Sequence, residues 1–241
     1  MIMHGSPLHA VWLGSVPYGD ALALQRSLLE QRRDGLISDT LLLLEHPHVY
    51  TLGRRGVGEH VLADAAALAR LGAEVFETDR GGEVTYHGPG QLVGYPILSI
   101  REAKLGPVAY VRLLEQAIIE TLRDYGISGH CVVGKTGVWV GGKPGAKPNK
   151  GEVPAGQKIA AIGVRVSAGI AMHGFALNVS SDLDYFSHIV PCGMPDVSVA
   201  SLESLTDKQV PVKDVGETAA HQLAEVLQKD LVWVEPTSIA A

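Results

Sequence analysis

Apolar residues recur at two different periods along the chain and so divide it into predicted helices and strands. Helical spacing over 107–126, with proline at its start and glycine at its end, predicts the longest helix. Shorter helices are predicted at about 17–35, 64–71 and 212–228. Continuous or alternating apolar stretches predict strands at 9–14, 40–45, 49–52, 74–78, 91–100, 137–140, 158–167 and 170–179. Helices and strands mix without strict alternation, which indicates an α+β or mixed α/β fold around one sheet.

The composition fits one compact domain, because 46% of the 241 residues are hydrophobic, 19% are charged, and no repeat or linker divides them. We therefore expect a single domain over residues 1–241. The formal net charge of −6 argues against nucleic acid as a partner. No apolar run has the length of a membrane span, and the start lacks the pattern of a signal peptide. We expect a cytoplasmic protein with reduced thiols and no membrane contact.

A cysteine lies between two prolines, with a glycine beside it, in the stretch 189–195. Proline fixes φ and glycine permits positive φ, so the stretch predicts a rigid loop. A cysteine on a loop is accessible to reagents, and its thiolate is a nucleophile. A small apolar side chain packed under a turn is the commoner role for a cysteine such as Cys192. The loop alone leaves both interpretations open.

Two glycine clusters enclose a polar and aromatic segment in the run 80–91, which reads RGGEVTYHGPGQ. Glycine lets the backbone approach a ligand closely. Arg80 would receive an anionic group, while Tyr86 and His87 would supply a ring wall and hydrogen bonds. A β-hairpin with ordinary turn glycines is the alternative. The density of polar groups among the glycines favours a binding loop.

Four other features are of the kind that can carry chemistry, but the sequence context alone does not support it. Residues 129–136 match the phosphate-loop pattern, but predicted strands lie on both sides of the glycine and lysine, so the match is accidental. Lys158 begins a strand, where a lysine is usually a solvated surface charge. His173 would form a papain-type pair with Cys192, although a buried histidine satisfied by the core is favoured. The histidines and cysteines have no metal-ligand spacing, so we expect no metal.

Five segments occur in a fixed order along the chain: 80–92 (RGGEVTYHGPGQL), 137–140 (GVWV), 158–163 (KIAAIG), 173–178 (HGFALN) and 189–193 (IVPCG). Together they closely resemble the octanoyltransferases, also called lipoyl(octanoyl) transferases or lipoate–protein ligase B. The resemblance covers about residues 9–230. It implies one catalytic domain with the fold of the biotin and lipoate protein ligases, a mixed sheet flanked by helices.

The resemblance also implies an activity and a set of site residues. The family transfers an octanoyl group from octanoyl-acyl carrier protein to a lysine of lipoyl domains, such as those of the 2-oxoacid dehydrogenases and the glycine cleavage H protein, and no cofactor is implied. Cys192 would carry the acyl thioester, and Lys158 would lower its pKa. The implied acyl-binding residues are Arg80, Gly81, Gly82, Glu83, Val84, Thr85, Tyr86, His87, Ala161, Ile162, Gly163, Gly174, Phe175 and Ala176.

Two positions depart from the family pattern. The glycine-, proline- and lysine-rich insert at 141–157 is longer than the usual connection. Its lysines Lys143, Lys147 and Lys150 would either meet an acidic carrier protein or belong to an ordinary solvated loop, and the sequence leaves both open. Ala171 stands where the family often has threonine. Three alternatives remain at this point: an ATP-dependent lipoate or biotin ligase on the same fold, a hydrolytic thioesterase that uses Cys192, and a non-catalytic module that binds acyl groups or lipoyl domains.

Overall fold

The computed structural model describes residues 6–56, 58–142, 156–190 and 197–239. Its strands are β1 (Leu8–Ser15), β2 (Asp39–Glu45), β3 (Val49–Leu52), β4 (Glu74–Glu77), β5 (Val84–His87), β6 (Gln91–Ser99), β7 (Gly129–Val132), β8 (Lys135–Val140), β9 (Gln157–Ser167), β10 (Ile170–Asn178) and β11 (Leu231–Trp233). Its helices are α1 (Tyr18–Arg33), α2 (Ala65–Leu71), α3 (Pro107–Asp124), α4 (Leu202–Thr206) and α5 (Val212–Leu227), with 3₁₀ turns at Gly58–His60, Leu183–His188 and Pro236–Ser238.

Two sheets organise these elements. The large sheet has eight strands in the order β11-β1-β2-β6-β10-β9-β8-β7, and it is mixed, because β1 pairs with β2 and β11 in parallel while the other pairs are antiparallel. A smaller sheet has three strands in the order β4-β3-β5. The structure therefore confirms the mixed α/β class and adds a second sheet to the one that was predicted.

Both faces of the large sheet are covered by helices, which explains the uninterrupted apolar run in β2. Leu41 and Leu43 pack in the core that contains residues of α3 and α5, whereas Leu42 and Leu44 pack in the core on the side of α1. Alternate residues of a strand point to opposite faces, so a strand covered on both sides needs apolar residues at every position.

Two local sequence interpretations are confirmed. The phosphate-loop pattern lies on the hairpin of β7 and β8, so no helix follows the glycine and lysine. Ala168 and Gly169 connect β9 to β10 with φ values of 52° and 85°, the positive angles that a tight hairpin turn requires. The lysines Lys143, Lys147 and Lys150 of the insert lie outside the described residues.

A buried carboxylate joins three parts of the fold. Asp39 Oδ1 accepts hydrogen bonds from Arg32 Nε at 2.7 Å and from the Ser99 backbone N–H at 3.0 Å. Lys229 Nζ lies 3.0 Å from the second oxygen, Oδ2. Asp39 is 2% exposed, so these contacts replace the water that the charge would otherwise need. The carboxylate links α1, the centre of the large sheet and the segment that follows α5.

Replacing Asp39 with alanine should lower the free energy of unfolding by about 3–5 kcal/mol, because it leaves the buried Arg32 guanidinium with only the exposed Glu102 carboxylate as a partner and removes the carboxylate beside Lys229 Nζ. Urea denaturation monitored by circular dichroism measures the change. Asp34→Ala is the matched control, since it removes the partner of Arg33 in an exposed pair and should change little. Equal midpoints for the two variants would contradict the assignment.

Candidate active site

A cavity of about 330 Å³ lies where β9 and β10 of the large sheet meet the segment 80–87. Every acyl-binding residue implied by the sequence lines it except Tyr86, and Lys158 lines it as well. Sequence reasoning missed Tyr18, Tyr95, Val111 and Trp139, which also line the wall. These four come from α1, β6, α3 and β8, so only the tertiary fold brings them together.

Glycines allow the segment 80–83 to lie directly on the β9–β10 hairpin. The register pairs Ala161 with Ala176 and Gly163 with Gly174, so the two implied acyl-binding segments are cross-strand neighbours. The Gly81 N–H donates to Val164 O at 3.0 Å. A Cβ added at Gly163 would lie 2.7 Å from Gly81 O, a distance at which atoms overlap. The glycine-dense run is therefore a loop packed against the sheet.

Arg80 holds this loop to the small sheet. Its side chain is buried, and Nη2 donates to Thr51 O at 2.5 Å and to Thr51 Oγ1 at 2.8 Å, while Nη1 donates to Gly81 O at 3.0 Å. The role of Arg80 as a receptor for an anionic group stays a prediction. Hydrogen bonds within the protein direct its guanidinium, which forms part of the cavity wall.

Tyr86 faces away from the cavity, which corrects its predicted place in a ring wall. Alternate residues of a strand point to opposite sides, so the Tyr86 side chain lies opposite those of Thr85 and His87, which line the cavity. Val84, on the same side as Tyr86, lines the cavity from the start of the strand. The Tyr86 ring packs in a cluster with Tyr50 and Tyr185, and its hydroxyl lies 2.9 Å from His48 Nδ1. The cluster holds the 3₁₀ turn that precedes the Cys192 loop, because the Tyr50 hydroxyl donates to Tyr185 O at 3.0 Å.

Cys192 belongs to the stretch 191–196, which lies outside the described residues, but the residues on both sides of this predicted loop are described. Upstream, the Val190 N–H donates to His60 O at 2.9 Å and the Leu62 N–H to His188 O at 2.8 Å. Downstream, the Lys158 N–H donates to Ser198 O at 2.8 Å, and the Ala200 N–H donates to Lys158 O at 3.0 Å. Each flank is thus bonded to a fixed part of the fold.

Lys158 is buried, although its position at the start of a strand predicted a solvated charge. It is 9% exposed, because the segment 197–200 covers it. Its Nζ lies 5.7 Å from the centroid of the Trp139 ring, a cation–π contact. Gly137 makes room for the side chain, since a Cβ there would lie 2.7 Å from Lys158 Cε. An ammonium group is therefore held in the wall of the cavity.

His173 adopts an unusual backbone conformation for a strand residue, with φ of 57°. The register of Ala171 with Leu98 and of Phe175 with Gly94 places Pro96 opposite it, and proline has no N–H for the ladder. The His173 N–H instead donates to Gln25 Oε1 at 2.8 Å, and Nε2 lies 2.8 Å from Asp79 Oδ1. These contacts fit the buried histidine that the sequence favoured, although its Nδ1 has no hydrogen-bond partner among the described residues. The papain-type pairing involves Cys192, which lies outside the described residues.

Burial and neighbouring charges set the electrostatics of the site. Burial is the main cause that lowers the pKa of His46 to about 4 and holds the pKa of His87 well below the ordinary value. Both rings are therefore neutral at neutral pH.

Within the described ranges no group of three His, Cys, Asp or Glu residues could hold a metal ion. None of the helices in the same ranges is long and apolar enough to cross a membrane.

The fold and the sequence profile together define the class of protein. The profile of the Lipoyl protein ligase A/B catalytic domain matches residues 17–224. The bipartite lipoate protein ligase of Thermoplasma acidophilum has the same fold, with a TM-score of 0.73 at 18% identity over 98% of this chain and 89% of that one. The biotin protein ligase of Aquifex aeolicus is more distant, with a TM-score of 0.53 at 15% identity over 91% and 70% of the two chains.

Similar proteins of known family identify one family within this class. The octanoyltransferase of Acidobacterium capsulatum is 46% identical over 95% of this chain and 93% of its own length. That of Solibacter usitatus is 48% identical over 95% and 96%, and a mitochondrial octanoyltransferase of Arabidopsis thaliana is 42% identical over 95% and 93%. The chain therefore belongs to the octanoyltransferase family. The predicted family, fold and enzyme class are confirmed.

Replacing Gly163 with alanine should raise the KM for the octanoyl donor by about tenfold, because the new Cβ pushes the segment 80–83 away from β9 at a cost of about 1–3 kcal/mol. Steady-state kinetics with a circular dichroism spectrum of each variant measure this. Gly58→Ala, where a Cβ would meet open space, is the control. An unchanged KM in Gly163→Ala would show that the close approach is not needed for acyl binding.

Proposed function

We propose that this octanoyltransferase acts through a thioester on Cys192. In the first step the Cys192 thiolate attacks the thioester of octanoyl-acyl carrier protein, and the carrier leaves as its thiolate. In the second step the amine of a lipoyl-domain lysine attacks the acyl-enzyme, an amide forms, and the Cys192 thiolate is released. Exchange between thioesters is nearly balanced and amide formation is downhill, so the route requires no ATP.

The observation that carries this proposal is the convergence of both flanks of the Cys192 loop on Lys158. Phe186 lies upstream of the loop, and Val197 and Val199 lie downstream. All three share with Lys158 the wall of a second cavity of about 20 Å³. Val197 also packs with Trp139, over whose ring the Lys158 ammonium lies. Described residues on both sides of the stretch 191–196 therefore lie beside this lysine, which supports a position for Cys192 near the same ammonium group.

An ammonium group near Cys192 would supply the charge that the thiol needs. A free thiol with a pKa near 8.5 is only a few per cent thiolate at pH 7. A positive charge about 4 Å away is worth ~4 kcal/mol at an effective dielectric of 20, an upper bound of about three pKa units. Lowering the pKa by even about one unit gives nearly tenfold more thiolate. A single lysine is therefore sufficient.

Cys131, the other cysteine, has the opposite environment. Burial, followed by the nearby Glu115 carboxylate, raises the pKa of its thiol to about 11. Its Sγ donates to Glu115 Oε2 at 3.4 Å. Such a thiol is almost entirely protonated at neutral pH, which makes Cys131 a poor nucleophile. The chain thus offers a matched control for Cys192.

The cavity provides the slot for the acyl chain. Gly81, Ala161 and Gly174 line it with backbone and small side chains that leave it open, and Ile162 and Phe175 supply apolar surface. Each methylene buried there contributes ~0.8 kcal/mol. We propose that the implied acyl-binding residues which line the cavity hold the octanoyl chain, and that Tyr86 contributes from behind it.

The donor, the acceptor and the location follow from the family and the chemistry. We propose octanoyl-acyl carrier protein as the donor and the lipoyl domains of 2-oxoacid dehydrogenases and of the glycine cleavage H protein as acceptors. The net charge of −6 supports protein partners over nucleic acid. A thiolate nucleophile requires a reducing compartment, which supports a cytoplasmic location.

Incubation with octanoyl-acyl carrier protein without ATP should add one octanoyl group to the protein, and a lipoyl domain should then remove it. Intact-protein mass spectrometry measures both steps. Cys192→Ser should form no thioester adduct, whereas Cys131→Ser should react like the unaltered protein. Activity only with ATP and free octanoic acid would instead indicate a ligase, and release of free octanoate would indicate a thioesterase.

Lys158 is also our candidate for the group that takes up the proton of the incoming amine. Lys158→Arg keeps the positive charge but removes a base that can titrate, so acylation of Cys192 should persist while transfer to the lipoyl domain slows at least about tenfold. Single-turnover kinetics separate the two steps. Full turnover by this variant would rule out the proton-transfer role.

A further inference from the structure

A chain of buried amide hydrogen bonds runs behind His87. His87 Nδ1 lies 2.7 Å from Gln91 Oε1. Gln91 Nε2 donates to Asn178 Oδ1 at 2.9 Å and to Tyr86 O at 3.2 Å. Asn178 Nδ2 donates to Ala200 O at 3.0 Å. Each of the three side chains is at most 6% exposed, so the chain has no competition from bulk water.

The two backbone carbonyls fix the direction of every bond, because a carbonyl oxygen can only accept. Ala200 O requires the NH₂ group of Asn178, which leaves Asn178 Oδ1 as an acceptor. Tyr86 O and Asn178 Oδ1 then require the NH₂ group of Gln91, so the Gln91 oxygen faces His87. A hydrogen bond between this oxygen and His87 Nδ1 exists only if Nδ1 carries the proton.

His87 therefore presents a ring nitrogen without a proton to the cavity. Burial keeps the ring neutral, so the proton on Nδ1 is its only one. The ring lines the cavity, and Nε2 has no hydrogen-bond partner in the part of the chain that the structure describes. A nitrogen in this state cannot donate to an oxyanion. It can only accept a hydrogen bond.

We propose that Gln91 and Asn178 are positioning residues that hold His87 in the Nδ1–H tautomer, so that Nε2 accepts a hydrogen bond from an N–H group of the substrate. The inference rests on the proposed function, in which two such groups enter the site. One is the amine of the acceptor lysine, and the other is an amide of the carrier's thioester arm. The two half-reactions distinguish them.

Nitrogen-15 NMR of histidine-labelled full-length protein tests the tautomer directly. His87, identified by its loss in His87→Asn, should show the Nδ1–H pattern. His46 is an internal reference for the same tautomer, since its Nδ1 lies 2.6 Å from Val16 O. His173 is the opposite reference, since its Nε2 bonds to Asp79 Oδ1. An Nε2–H or doubly protonated His87 at pH 7 would overturn the inference.

Two substitutions of Gln91 then test the function of the tautomer. Gln91→Leu removes the acceptor, so His87 should lose the Nδ1–H pattern and one half-reaction should slow by about tenfold. Slower transfer to the lipoyl domain identifies the lysine amine as the bound group, and slower formation of the Cys192 adduct identifies the carrier arm. Gln222→Leu, on the exposed side of α5, is the control. Unchanged rates in Gln91→Leu would contradict the proposal.

Gln91→Glu separates this role from a purely structural one. One carboxylate oxygen still accepts from Nδ1, so the tautomer should persist, and its charge raises the pKa of His87. The acid limb of the pH–rate profile should then shift to higher pH, because a protonated Nε2 cannot accept a hydrogen bond. The second oxygen loses the hydrogen bonds to Tyr86 O and Asn178 Oδ1, so a circular dichroism spectrum of this variant accompanies the kinetics. The surrounding titratable and charged groups, Tyr18, His46, Arg80 and His173, are unchanged in this variant. An acid limb that does not move would reject the role of Nε2.

Absence of any Cys192 adduct in the unaltered protein would instead refute the proposed function and leave the tautomer result standing.

Discussion

Two backbone hydrogen bonds between Lys158 and the segment 197–200 are the constraint on which the site depends. They run from the Lys158 N–H to Ser198 O and from the Ala200 N–H to Lys158 O. These bonds extend the sheet over a lysine that would otherwise lie at an exposed strand end. They also fix the downstream flank of the Cys192 loop beside the lysine ammonium. Burial of the charge and placement of this downstream flank therefore have one cause.

The acyl cavity depends on a second constraint, the contact of backbone with backbone at glycines. The segment 80–83 lies on β9, and Gly174 packs against Gly94 in the neighbouring strand. Side chains at these positions would fill the slot or separate its walls. Arg80 and Thr51 then tie the loop to the small sheet. The small sheet contributes a wall to the cavity and, through its aromatic cluster, an anchor for the turn that precedes Cys192.

The sequence predicted most helices and strands well, because the residues that begin, end and pattern each of them are neighbours in the chain. The proline and glycine at the ends of α3, and the two residues between β9 and β10, are examples. The side of a strand on which a residue lies was harder to predict. Once His87 is placed in the cavity, alternation along β5 predicts that the Tyr86 side chain points away from it. No residue near Tyr86 indicates by itself which side of the strand faces the cavity. The exposure of Lys158 depends on a segment about forty residues further along the chain. Strand β11 is only three residues long, which is too short to show a period.

The pH dependence of alkylation at Cys192 tests most directly whether Lys158 ionises this thiol. The measurement is made in a Cys131→Ser background, so that only one thiol reacts. We expect a midpoint below the ordinary value of about 8.5, and a rise of at least about one unit when Lys158 is replaced by methionine. Identical midpoints with and without the Lys158 ammonium would contradict the account.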